Sequence, residues 1–178
     1  MKVPSEFDSI RPYEPEELPQ VYDRLLKDEQ FKKVLATALP QIPFDKVAPT
    51  MHACKTNLDF QRAFCYPMLQ KLVHEQSEGI DMDACNISIK NRYTFVSNHR
   101  DIVLDSALLD KLLLDAGFTT TCEIAIGDNL LSLPWVKDLV RLNKSFIVER
   151  GLPMRQMLVA SKRLSDYMHF AIDTKHEN

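Results

Sequence analysis

Apolar positions recur at helical spacing through the first part of the chain, then give way to short runs of β-formers alternating with helices. Leu18, Val21, Tyr22, Leu25 and Leu26 fall at the intervals of one helix face. Phe31, Val34, Leu35 and Leu39 continue the pattern until Pro40 and Pro43 stop it. Pro12, Pro15 and Pro19 mark an irregular approach to the first helix. A longer helix is predicted over 57–74, with Phe60, Phe64, Met68, Leu69, Leu72 and Val73 as its stripe. Such a stripe belongs to a core more often than to a membrane surface. The polar segment 77–83, with Gly79, reads as a boundary. Beyond it, 86–89 and 93–96 are predicted strands, and 102–116 an amphipathic helix closed by Gly117. A strand over 119–126, a short helix over 134–142, a strand over 145–149 and a helix over 154–172 follow. The expected fold class is α/β. An N-terminal helical region, residues 1–79, precedes a partial, mostly parallel sheet with flanking helices, residues 80–178.

Composition adds limits. Hydrophobic residues make up 45% of the 178 positions and charged residues 26%, which excludes disorder as a description of the whole. No apolar run reaches the roughly 18 residues of a transmembrane helix. The first ten residues carry Lys2, Glu6 and Asp8 and lack a secretory h-region, so a cytoplasmic location is expected. Cys54, Cys65, Cys85 and Cys122 form no C-x-x-C pair, which argues for reduced thiols and against a zinc ribbon, and no metal is expected. The net charge of −3 argues against nucleic acid as a partner. The charge is uneven: residues 1–129 hold 14 Lys and Arg against 20 Asp and Glu, residues 130–178 hold 8 against 5. The basic C-terminal part suits phosphate, an acidic protein or an anionic membrane, or is simply solvated surface.

Two stretches carry candidate chemistry. In Phe95–Asp105, a β-run ends at Val96 and Ser97 or Asn98 is placed to cap the next helix. His99 then sits at a strand-to-helix junction, where open α/β sheets bind ligands. An imidazole there suits general-base work, with Asp101 or Asp105 to fix its tautomer. No Gly-x-Ser-x-Gly elbow is present, so the base would activate a substrate hydroxyl, not an enzyme serine. The plainer reading of a lone histidine is a cap or surface residue. In 143–150, a short apolar strand delivers Arg150 to a strand end, where an arginine holds phosphate bidentately or pairs with Glu149. Gly127-Asp128-Asn129 reads as a turn. Leu133 and Trp135 suit core packing or an acyl-chain groove. Arg141, Lys144, Arg155, Lys162 and Arg163 suit a basic or a solvated face.

The pair Asn98-His99…Asp105 and the run Phe146-Ile147-Val148-Glu149-Arg150 resemble the first two sequence blocks of the glycerolipid acyltransferases. The member type they resemble most is the bacterial, Bacteroidetes-like 1-acylglycerol-3-phosphate acyltransferase, over residues 80–178. The resemblance implies His99 as the general base on the acceptor hydroxyl, Asp105 as its orienting partner and Arg150 as the holder of the acceptor phosphate. It implies Asn98, Arg100 and Lys144 as further acceptor or donor contacts. The co-substrate would be an acyl-carrier protein or acyl-CoA thioester, with no cofactor. The acceptor would be a lysophosphatidic-acid-like lipid of phospholipid synthesis, met at the inner membrane face. A non-catalytic binding or scaffold module and an acyl-thioester hydrolase stand as alternatives.

The chain departs from the family pattern twice. Five residues separate His99 from Asp105 where the family usually has four. On a regular helix a six-residue offset is about 240°, so the two would not share a face unless the junction is non-helical. Asp101 is the second candidate. The third block, a Glu-Gly-Thr-Arg-like phosphate loop, is not found after the last helix; Glu78-Gly79 lies before the first block. The chain is therefore expected to be an N-terminal fragment with an incomplete site and weak activity.

Overall fold

Helices dominate the chain, and most of them follow the amphipathic spacing of the sequence. The computed structural model describes residues 2–40, 42–98 and 100–178, with Phe44 described by its backbone alone. Helices α1 (Leu18–Lys27), α2 (Glu29–Ala38) and α3 (Phe44–Ala53) form the N-terminal layer. Asp28 starts α2 by accepting hydrogen bonds from the Gln30 and Phe31 N–H groups, both at 2.9 Å. Helix α3 is not predicted by the sequence pattern, because Pro49 falls inside it. Burial of Val47 and Met51 outweighs the lost backbone bond.

The predicted 57–74 helix is present as three joined pieces. These are α4 (Asn57–Phe60), a π-helical turn (Gln61–Cys65) and α5 (Tyr66–Gln76). Thr56 and Asp59 close a capping box at its start. Pro67, which has no N–H to donate back along the helix, follows the widened turn. That turn carries Gln61 into the interior, where it is 3% exposed.

Helix α6 (Leu104–Asp115) stops at Gly117, whose φ of +87° suits a residue without a Cβ. The Phe118 N–H returns to Leu113 O at 3.0 Å, and the two side chains share a core. Strand β1 (Ile124–Gly127) runs parallel to β2 (Ser145–Val148), with Ile124 opposite Ser145 and Gly127 opposite Val148. Helix α7 (Pro134–Leu142) makes the crossover, and α8 (Met154–Asp173) follows β2. The molecule is a mixed α/β fold with a small parallel sheet.

The predicted strands 86–89 and 93–96 are not strands. The Ile87 N–H bonds to Ala84 O and the Asn91 N–H to Ser88 O, so the first segment is turned. The second joins no ladder, and its Tyr93 N–H goes to the Asn178 side chain at 3.2 Å. Only the last part of the predicted 119–126 strand joins the sheet.

Three clusters form the core. Leu18, Val21, Tyr22, Leu25 and Phe60 lead the first, which also takes in Trp135, Leu139 and Leu142 of α7. Val3, Phe7 and Ile10 of the N-terminal arm join Phe146, Ile147, Tyr167 and Ala171 in the second. The Ile147 N–H donates to Ile10 O at 2.8 Å, so the arm lines the outer side of β2. Met82, Ile87, Tyr93 and Phe95 pack on Leu113, Phe118 and Cys122 in the third.

Candidate active site

Two carboxylates organise the loop before α6. Asp101 Oδ1 accepts hydrogen bonds from the Val103 and Leu104 N–H groups, at 2.9 and 2.8 Å. It satisfies the N–H groups of the N-cap, Val103, and of the first helical residue, Leu104, whereas Ser97 and Asn98, the caps expected from the sequence, lie further ahead of the helix start. Asp105 Oδ2 accepts from the Arg100 and Asp101 N–H groups, at 2.7 and 3.1 Å. Residues 100–103 are not helical and the helix starts at Leu104, so the 240° objection to the His99–Asp105 spacing does not apply. His99 itself lies outside the described residues. Asn98, Arg100, Asp101, Ile102 and Val103 are all exposed.

Arg150 is exposed and lies just past the carboxyl end of β2. Its backbone N–H donates to Asp128 Oδ1 at 3.1 Å. Its side chain crosses the carboxyl end of β1: a Cβ built on Gly127 would stand 2.9 Å from Arg150 Nε and 2.5 Å from Asn129 Oδ1. The Gly127-Asp128-Asn129 turn and Arg150 thus form one edge, at the end of a parallel sheet where ligands bind. Glu149, the alternative partner for Arg150, pairs instead with Arg163.

Lys144 is a correction. It sits at the other, amino end of β2, 4% exposed and with a φ of +61°. Its Nζ donates to Thr120 Oγ1, Thr121 O and Glu177 Oε2, at 2.7, 3.1 and 2.7 Å. Burial opposes charge on Glu177, but the Lys144 ammonium and the Thr120 hydroxyl hold its carboxyl below the ordinary range. All three ammonium protons are committed, so Lys144 cannot contact substrate from there.

The basic residues do not make one face. The Arg141 guanidinium is buried over the Tyr13 ring at 4.2 Å and donates to Arg11 O and Asp8 O. Lys162 pairs with Asp166 and Arg163 with Glu149. Trp135 packs on the first core cluster and donates to Gln30 Oε1 at 3.0 Å.

The sequence reading missed Asp110. It is 6% exposed, and its carboxylate accepts from the Cys122 N–H at 2.8 Å and Gln61 Nε2 at 3.3 Å. Burial pushes its carboxyl up to about 7, against the Cys122 N–H and the Lys144 charge, which favour ionisation. The available signal was an acid inside the apolar stripe 107–114 of α6. Burial also raises the Cys65 and Cys122 thiols to about 12, which makes them poor nucleophiles. Among the described residues no cluster of His, Cys, Asp or Glu is arranged to hold a metal ion. No helix among them is long and apolar enough to cross a membrane.

The acyltransferase family matches residues 74–171, more than half of the chain, and the chain belongs to that family. The matched span includes the Asn98–Asp105 loop, the Gly127 turn and Arg150, and it supports the glycerolipid acyltransferase resemblance. Searches of curated proteins and of solved structures gave no match.

Proposed function

We propose that the chain transfers an acyl group from an acyl-CoA or acyl-carrier-protein thioester to the hydroxyl of a lysophosphatidic-acid-like acceptor. The observation that carries this reading is the carboxylate-braced loop before α6, inside the family-matched span. In this reading His99 removes the acceptor proton and the resulting alkoxide attacks the thioester carbonyl. The carbon–sulfur bond breaks and the thiolate leaves, taking up a proton. Asp105 is a positioning residue that holds the loop through the Arg100 and Asp101 N–H groups. Arg150 holds the acceptor phosphate from the edge of the sheet. Acceptor and product are lipids, so the reaction includes an encounter with a membrane surface, as in phospholipid synthesis.

The test is acyl transfer to lysophosphatidic acid from both thioester donors, comparing the parent chain with His99→Ala. The expected loss is about a hundredfold to ten-thousandfold, the usual range for a general base. Transfer that His99→Ala leaves intact overturns the assignment. Thioester cleavage that does not depend on acceptor identifies a hydrolase instead.

A further inference from the structure

The first two turns of α8, residues 154–159, are exposed at every position. Met154, Met157 and Leu158, at 81%, 48% and 71% exposure, stand at i, i+3 and i+4, the spacing of one helix stripe. Val159 beside them is 66% exposed. This stripe is not the core face of the helix. Leu164, Tyr167 and Ala171, which belong to the second core cluster, centre about 100° away around the axis. Packing against the rest of the fold therefore does not account for the stripe.

The connection after β1 adds to the same region. Leu131 turns inward and packs against the second core cluster, as do Val148 of β2 and Leu164 of α8. Its neighbours Leu130 and Leu133 stay outside, 41% and 40% exposed. Helix α8 begins four residues after Arg150. Both apolar segments thus adjoin the carboxyl end of the sheet, the end that carries Arg150.

The charges here are of one sign. The first ten residues of α8 hold Arg155, Lys162 and Arg163 and no Asp or Glu. Nearby carboxylates are engaged: Glu149 by Arg163, Asp166 by Lys162, and Asp128 by the Arg150 N–H. Arg150, Arg155 and Lys137, the last one turn after Leu133, are exposed cations. A surface that is anionic at its rim and hydrocarbon beneath matches both halves of this pattern. An acidic protein would answer the cations alone.

We propose that this face, the first two turns of α8 with Leu130 and Leu133, docks on an anionic lipid bilayer, its apolar side chains below the headgroups and Arg155 and Lys137 among the phosphates. Docked this way, Arg150 meets a phosphate-bearing acceptor that never leaves the bilayer. That consequence rests on the acyl-transfer reading above; the docking itself does not.

The parent chain should co-sediment with mixed phosphatidylcholine–phosphatidylglycerol vesicles more tightly than with phosphatidylcholine alone. Met154→Gln combined with Leu158→Gln should weaken binding to the mixed vesicles about tenfold or more, as expected when a large apolar side chain is withdrawn from hydrocarbon. Arg155→Glu should weaken it about fivefold or more, and only where phosphatidylglycerol is present. Both variants should keep the parent's melting temperature, because the changed positions are exposed. Ile89→Ser, which removes an apolar side chain 49% exposed in neither segment, should bind as the parent does.

A parent chain that stays in solution beside the mixed vesicles, or a double variant that binds them like the parent, overturns the docking. So does self-association, or binding to an acidic carrier protein, that the double variant loses while its vesicle binding persists. In the transfer assay the double variant should lose activity on lysophosphatidic acid presented in vesicles and keep it on a short-chain, monomeric acceptor; equal losses on the two overturn the orientation. A parent chain that acylates neither acceptor overturns the acyl-transfer reading instead, and the sedimentation comparison still decides the docking.

Discussion

Alanine at Gly127 would add one methyl group where Arg150 Nε and Asn129 Oδ1 now lie. The backbone is not the constraint: φ is −70° and ψ 135°, angles open to any residue. The groups in the way are ends of flexible side chains, so Gly127→Ala should swing them aside and leave the fold standing. We expect KM for a phosphate-bearing acceptor to rise about tenfold, the worth of one charge-assisted hydrogen bond. Stability should move by no more than about 0.5 kcal/mol, as for surface changes generally. Steady-state kinetics with acceptors bearing and lacking the phosphate, beside a thermal melt, check this; an unchanged KM removes Arg150 from the phosphate site. The place of Arg150 past a strand end was legible in the sequence because a short β-run ends just before it. Lys144 was not, because its left-handed backbone and its pairing with Glu177, remote in sequence, leave no local trace.

At the scale of elements, α6 meets the π-helical turn between α4 and α5 through a buried acid whose protonation belongs to the folded state. Asp110 retains its proton to about pH 7 when folded, whereas an unfolded aspartate releases it near 3.9. Between those values the unfolded chain binds fewer protons, so stability falls as pH rises, and the loss is complete above about 7. Asp110→Asn removes this slope. Between about pH 5 and about pH 8 the parent chain should lose on the order of 2 kcal/mol relative to the variant, read from urea melts. Parallel stability curves for the two proteins would contradict the assignment. The groups that act on this titration are the Gln61 amide, the Cys122 N–H, Lys144 and Glu177. The helices α1, α2, α7 and α8 were readable because each carries its own amphipathic period. Segments 86–89 and 93–96 carried β-forming residues, but a strand also needs a neighbour, and neighbours are a property of the tertiary fold. The π-helical turn leaves the apolar stripe of 57–74 intact, so the sequence showed one unbroken helix.

For the whole molecule, the N-terminal arm matters more than its irregular sequence suggests. Phe7 is 3% exposed and stands 5.3 Å from the Tyr167 ring and 5.8 Å from Phe170, centroid to centroid. Phe7→Ala should cost about 3–5 kcal/mol, the usual range for a buried phenylalanine. Lys2→Ala, at an exposed position of the same arm, should cost almost nothing. Chemical denaturation of both variants tests whether the arm is structural or merely laid on the surface. Nothing local in residues 3–10 announces this role, since the other buried members of their core cluster begin at Phe146. That separation has a consequence for how the protein is made. A ribosome adding about 5–20 residues per second needs on the order of ten seconds to get from the arm to its partners on β2 and α8. Throughout that interval Phe7 and Ile10 are outside with nothing of their own to cover them. The residues of this arm are therefore made well before they are buried, and the nascent chain offers an apolar segment to chaperones or proteases until α8 has emerged.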